Sequence, residues 1–242
     1  MRAPRVFVDQ PLAPGELELP AQASAHLVQV LRLRAGDPLV VFDGGGRDYP
    51  AELLRAARGA ARVRIDAPGP SEAAPPLALH LGLGISKGER MDFALQKAVE
   101  LGVTQLTPLL TARTVVRLAG ERLERRTHHW RGLIIAACEQ SGRRRLPVLD
   151  PATELDAWLR QPHPQPLLLD PCGAGPLTAI PTPRGAVTLL VGPEGGLNQG
   201  ERAAAAAAGF VGVRLGPRIL RTETAPLAAL AVLQALWGDL GG

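Results

Sequence analysis

The chain has 242 residues, 46% of them hydrophobic and 21% charged, with 27 basic residues against 23 acidic for a formal charge of +4. That balance is that of a globular protein, with disorder not the default, and the length leaves room for one large domain or two ordinary ones. No stretch approaches the run of about 20 apolar residues that a membrane span requires, and Met1-Arg2-Ala3-Pro4-Arg5 leads into a strand rather than a signal peptide, so a cytoplasmic protein is expected.

In chain order, short strands are expected at 5–8, 15–19, 38–42, 49–54 and 61–65, with one helix over 21–31 among them. Asp43-Gly44-Gly45-Gly46 is a turn signal between two of these strands. Residues 1–70 thus read as a small β-barrel or compact sheet. The proline-rich stretch 67–76 has no periodicity and reads as a linker, its boundary set at 71–76.

From 77 to 242 the texture changes to strands at 77–83, 105–110, 167–170, 187–191 and 211–215, alternating with helices near 89–101 and 121–140. This is the pattern of an α/β domain with a mostly parallel sheet covered by helices. Met91, Ala94, Leu95 and Ala98 fall at helical spacing and make a buried face. The last helix, 225–240, is apolar over most of its circumference and must be buried on more than one side, within its own domain or against a second subunit.

Cys138 and Cys172 are too few for a zinc site or a disulfide framework, and Cys138 sits among apolar helix positions as a buried thiol. The five histidines show no metal-ligand spacing, and neither GxSxG nor GxxxxGK[ST] occurs. Metallohydrolase, serine hydrolase and P-loop chemistries lose ground, and no metal is expected. The basic residues are arginine except for Lys87 and Lys97, a bias compatible with phosphate and base recognition.

Three segments carry chemistry. The strand Val187-Thr188-Leu189-Leu190-Val191 runs into Gly192-Pro193-Glu194-Gly195-Gly196, where glycines let backbone groups contact a nucleotide-like ligand directly. Glu194 would repel a triphosphate but tolerates a neutral or cationic ligand. The strand ending at Leu215 runs into Gly216-Pro217-Arg218-Ile219-Leu220-Arg221-Thr222-Glu223-Thr224, a crowd of polar residues before an apolar helix, with Thr222 or Thr224 as its N-cap. The third segment, Glu139-Gln140-Ser141-Gly142-Arg143-Arg144-Arg145, ends a helix in arginines, as a favourable dipole partner or as an RNA-facing edge.

These segments, with His26-Leu27, Val30-Leu31-Arg32 and Gly36-Asp37 early in the chain and Gln96-Lys97-Ala98 and Glu100-Leu101-Gly102-Val103 later, resemble the signature segments of the ribosomal RNA small subunit methyltransferase E family of the SPOUT superfamily. The resemblance spans nearly the whole chain. One departure is Thr127-His128-His129-Trp130, where the family pattern has a basic residue before tryptophan and where a peripheral helix face is expected.

The resemblance implies a PUA-like, RNA-binding β-barrel over 1–70, a linker over 71–76 and a SPOUT α/β domain with a trefoil knot over 77–242, in a homodimer. It implies S-adenosylmethionine (SAM) as cofactor, bent in the knot on Gly192, Pro193, Glu194, Gly195 and Gly196 and on Leu215, Gly216, Ile219 and Leu220, with Leu169 a weaker candidate. It further implies methylation of N3 of a uridine in 16S rRNA within the small ribosomal subunit. That nitrogen is protonated at neutral pH, so a base and an anion stabiliser are both useful. Glu223 is the expected proton acceptor, and Arg221 or Arg143 the stabiliser of the base carbonyls. RNA contacts are expected from Arg2, Arg5, Arg32 and Arg34, with Arg144 and Arg145 nearer the target base.

Overall fold

The computed structural model describes residues 3–114 and 120–241, which fall into two compact units. The first comprises residues 1–74 and 135–146, and the second 75–134 and 147–242. Arg2 lies outside the described residues.

The first unit is a five-stranded sheet in the order β1-β3-β4-β5-β2. Its strands are β1 (Arg5–Phe7), β2 (Gly15–Glu18), β3 (Pro38–Phe42), β4 (Tyr49–Arg55) and β5 (Arg62–Ile65). β1 pairs parallel with β3 and every other pairing is antiparallel. Strict alternation in β5 sends Val63 and Ile65 inward and Arg62 and Arg64 to solvent, as a half-buried strand requires. The inward residues meet Val6, Leu19, Leu39, Val41 and Leu53 in one apolar core.

The expected helix over 21–31 is only partly α-helical. After α1 (Ala21–Ala25) the chain widens into a π-helical turn over His26–Val30, where the Leu31 amide donates to the His26 carbonyl at 3.0 Å. The wider turn lets Leu27, Val28 and Leu31 all face the same core, and it ends at Arg32 in the left-handed region with φ 56°.

Of the proline-rich stretch, residues 67–74 belong to this unit. The Gly69 amide donates to the Asp48 carbonyl and the Glu72 amide to the Gly46 carbonyl. The Glu72 carboxylate accepts the amides of Arg144 and Arg145 at 2.7 and 3.0 Å, and the Pro70 carbonyl accepts from the Arg144 guanidinium at 3.0 Å. Prolines leave such a segment short of donors, yet its carbonyls and one carboxylate still find partners.

The second unit holds an all-parallel sheet in the order β11-β13-β10-β12-β6-β7-β8, with β9 paired to β7. Its long strands are β6 (Ala78–Gly84), β7 (Gln105–Leu110), β10 (Pro166–Leu169), β12 (Ala186–Val191) and β13 (Val211–Arg214). Short strands β8 (Val148–Leu149), β9 (Thr153–Glu154) and β11 (Gly175–Pro176) complete it. β6 and β12 sit centrally and are buried along most of their length, the near-continuous apolar pattern of a sheet covered on both faces.

The covering helices include α2 (Glu89–Glu100), α4 (Leu155–Leu159), α5 (Gln199–Ala207) and α6 (Thr224–Trp237). Met91, Ala94, Leu95 and Ala98 are buried on α2, as their spacing predicts. α3 (Glu121–Ser141) also packs here through its first turns, where His129 bonds Asp92 of α2 at 2.8 Å and Trp130 is fully buried. The face expected to be peripheral is therefore a helix-packing face. α6 contacts both α2 and β12, so after β13 the chain doubles back across the sheet.

At the N-terminal ends of the strands, the Thr107 hydroxyl gives its one proton to Asp150, so the His80 Nε2 contact at 2.8 Å must be donated by the ring. Burial drives the His80 pKa down to about 4, with His163 adding to the effect and Asp150 opposing it. A histidine depressed in the folded state contributes stability that is present above its unfolded pKa of about 6.5 and lost as pH falls towards 4. Denaturant unfolding at pH 7, 5.5 and 4 should show a loss of about 2 kcal/mol from this group after discounting for its partial exposure. His80→Gln should flatten that part of the profile.

Candidate cofactor-binding site

Three loops meet at the C-terminal edge of the parallel sheet, where open α/β sheets hold their ligands. They follow β10 (169–171), β12 (192–197) and β13 (215–222), and enclose a cavity of about 210 Å³. Apolar walls come from Leu168, Val191, Leu197 and Val213 at the strand ends. Gly192, Gly196 and Gly216 put backbone without a side chain at the cavity surface. Gly196 and Gly216 have φ of +65° and +70°, a region that other residues enter only with strain.

Gly84, the last residue of β6, permits the closest approach. A Cβ there would stand 2.5 Å from both the ring Cδ and the nitrogen of Pro193, so the first turn lies directly on the strand. The turn is also stapled on both sides. The Glu194 carboxylate accepts the Lys87 amide at 2.8 Å and lies 3.5 Å from the Arg90 guanidinium. Burial pushes this carboxyl up, but the Lys87 amide, its own amide and Arg90 outweigh it and hold the pKa below the usual carboxylate value. Glu194 thus borders the cavity with one carboxylate oxygen committed to the loop after β6.

On the other side the Arg113 guanidinium donates to the Gly195 carbonyl at 2.7 Å, and the Ala112 amide donates to Glu201 at 2.7 Å. Glu201 also closes a capping box with Asn198 at the start of α5. Loss of the Arg113 contact should loosen the turn without opening the core. Arg113→Ala is expected to raise the KM for the cofactor roughly tenfold, the scale of one charge-assisted hydrogen bond, with little change in kcat or Tm. Steady-state kinetics with thermal unfolding checks this, and Arg113→Lys should recover part of the loss.

The third loop is tied to the first through Thr222, whose hydroxyl donates to the Gly192 carbonyl at 3.0 Å and lies 3.4 Å from the Ser86 hydroxyl. Leu169, Gly192, Pro193, Glu194, Gly196, Leu215, Gly216, Ile219 and Leu220 all line the cavity. Gly195 does not, its carbonyl being turned to Arg113. Arg221 and Glu223 flank the wall residue Thr222 without lining the cavity themselves. Arg221 is exposed, and its carbonyl starts α6 by accepting the Thr224 and Ala225 amides. One carboxylate oxygen of Glu223 is buried with no hydrogen-bond partner among the described residues.

The arginines expected at RNA divide sharply. Arg5 is 6% exposed, bonded to Asp48 and to the Arg143 carbonyl and stacked 4.6 Å over Phe42, so it organises the first unit instead of presenting charge to a ligand. Arg144 is likewise engaged by Asp48 and Pro70, and Arg145 by Glu72. Arg32 and Arg34 are exposed on the first unit, where Arg143 also lies. In the same unit Glu139 accepts the Phe7 amide at 3.0 Å, and burial raises its carboxyl above the usual range. Cys138 is buried beside it, its thiol pushed by that burial up to about 11.

The sequence reading missed Ser86, Arg113 and the cavity-lining Asp170, Arg202 and Arg214, and it offered Thr222 or Thr224 as the N-cap of α6, a position that Glu223 occupies without a side-chain capping bond. Arg113 follows β7 at the same sheet edge, a position that strand order could have flagged once the sheet was read as parallel. Among the described residues no group of three or more histidine, cysteine, aspartate or glutamate side chains could hold a metal ion, and no helix is long and apolar enough to cross a membrane.

A family profile described as an RNA methyltransferase domain matches residues 73–234, and one described as an RNA methyltransferase PUA domain matches 19–66. The chain is similar to the ribosomal RNA small subunit methyltransferase E of Buchnera aphidicola, at 31% identity over 99% of this chain and 98% of the relative. It is similar to that of Synechocystis at 36% identity over 87% and 70%. Among solved structures, the ribosomal RNA small subunit methyltransferase E of Neisseria gonorrhoeae bound to S-adenosyl methionine superposes with a TM-score of 0.94 at 41% identity, covering 98% of this chain and 99% of that one.

Proposed function

Because the chain belongs to the ribosomal RNA small subunit methyltransferase E family, we propose that it transfers a methyl group from SAM to N3 of a uridine in 16S rRNA of the small ribosomal subunit. The observation that carries this reading is the three-loop cavity, whose glycine turns and apolar walls suit a nucleoside bound through backbone groups. Its donor set fits SAM: glycine turns admit an adenosine without a phosphate-binding lysine loop, and a carboxylate borders the site where a sulfonium is tolerated. Leu169, the 192–196 turn and Leu215, Gly216, Ile219 and Leu220 would hold it. Bound there, the cofactor supplies an electrophilic methyl group for in-line displacement.

The remaining chemistry falls to the protein. Glu223 is proposed to take the N3 proton, supported by its unpartnered carboxylate oxygen next to the wall residue Thr222. Arg221 is proposed to stabilise charge spreading onto the base carbonyls, with Arg143 a further candidate through its motif. Exposed Arg32 and Arg34 are proposed to contact RNA from the first unit. A homodimer is proposed because Leu236 and Leu240 at the end of the chain remain 49% and 53% exposed, and Phe93 of α2 47%.

The test is incubation of the protein with labelled SAM and unmethylated small ribosomal subunits, followed by mass mapping of the modified nucleoside. Label on N3 of one uridine is expected. Label on a ribose would place the enzyme on another target, and no transfer to any RNA would leave an RNA-binding protein.

A further inference from the structure

Charge accounting around the cavity leaves cations in excess: among the described residues, three arginines without ion-pair partners stand against one carboxylate, Asp170, that has none either. Arg202, Arg214 and Arg218 line it, all three are exposed, and among the described residues no hydrogen-bond acceptor or carboxylate meets their guanidinium groups. Of the acidic residues that line the same cavity, Glu194 gives one oxygen to Lys87 and Arg90 and keeps the other buried without a hydrogen-bond partner among the described residues, and Asp170 accepts the neutral Cys172 amide at 2.9 Å. These arginines come from α5, the end of β13 and the loop after it, so they border the cavity from two sides of its mouth.

A cofactor that carries a sulfonium and an ammonium against one carboxylate has a net positive charge. Three unpaired arginines therefore exceed what its carboxylate can use, and on their own they disfavour it. A polyanion resolves the excess, and the guanidinium fork suits phosphate. We infer that Arg202, Arg214 and Arg218 form a phosphate-holding rim that seats the RNA strand at the mouth of the cofactor cavity. This inference rests on the methyltransferase reading above. It extends RNA contact from Arg32 and Arg34 onto the second unit, using arginines without internal partners in place of Arg5, Arg144 and Arg145, which have them.

The test compares the full-length protein with its R202Q/R214Q/R218Q variant, using unmethylated small ribosomal subunits as the RNA and calorimetry with SAM alone as the control. Subunit binding in about 0.1 M salt is expected to weaken at least tenfold. The plot of log affinity against log salt should become shallower by about 2, since each single-strand phosphate contact contributes roughly 0.7. SAM affinity should change less than about twofold, and the R202K/R214K/R218K variant should restore the slope because it keeps the charge. An unchanged slope overturns the assignment, as does weakened SAM binding with an unchanged slope, which would put the arginines on the cofactor carboxylate. If the unsubstituted protein transfers no methyl group to RNA, the methyltransferase reading fails instead. If it does and the variant binds subunits normally, only the rim falls.

Discussion

Gly84→Ala is expected to weaken SAM binding roughly a hundredfold while leaving the fold intact. The added methyl would stand 2.5 Å from the Pro193 nitrogen and ring and 3.0 Å from the Gly192 carbonyl carbon. Both contacts involve backbone or a ring fused to it, so no flexible side chain can swing away. Overpacking of this kind costs about 1–3 kcal/mol, and here the cheapest relief is to lift the 192–196 turn off the end of β6. That turn is also held by Glu194 at Lys87 and by Arg113 at Gly195, so lifting it strains several contacts at once. Calorimetry with SAM, alongside circular dichroism and thermal unfolding, checks the prediction. Normal affinity in a folded variant would show that the turn does not hold the cofactor as proposed.

Glu223→Gln should lower kcat by about 10² to 10⁴, the range for loss of a positioned base, with SAM affinity unchanged. The substitution keeps the shape of the side chain and removes its ability to take a proton. Its consequence should be largest at low pH and partly relieved at high pH, where more of the uridine is already ionised. A variant with full turnover would move the base to another group. A variant that lost SAM binding in parallel would mean that Glu223 supports the loop and not the proton transfer.

Much of this architecture was legible because the signals were local. Strand and helix positions followed from apolar periodicity, and the two glycine turns were visible because only glycine suits a close or left-handed backbone. The 192–196 and 215–220 turns do border one cavity, apart from Gly195 and Pro217. What stayed hidden was which way charged side chains point. Arg5 and Arg218 look alike in sequence, yet one is enclosed by Asp48 and Phe42 and the other stands at a cavity mouth. The difference depends on Asp48, 43 residues away from Arg5 in the chain, and no spacing rule reaches that far. The role of Thr222 was obscured by its charged neighbours Arg221 and Glu223, since only the backbone path decides which of three consecutive residues faces inward. The π-helical turn at His26–Val30 was invisible because its residues suit an α-helix equally well.

The interleaving of the chain has a practical meaning for dissecting it. Residues 135–146 belong with the first unit although some sixty residues of the second precede them. They supply the carboxylate that receives the Phe7 amide, the carbonyl that receives Arg5 and the amides that hold Glu72. A fragment cut at the proline-rich stretch would therefore carry Arg5, Asp48 and Glu72 away from half of their partners. Neither half is a self-sufficient module, and what a truncated piece fails to bind would report its own incompleteness before it reported where RNA contacts lie.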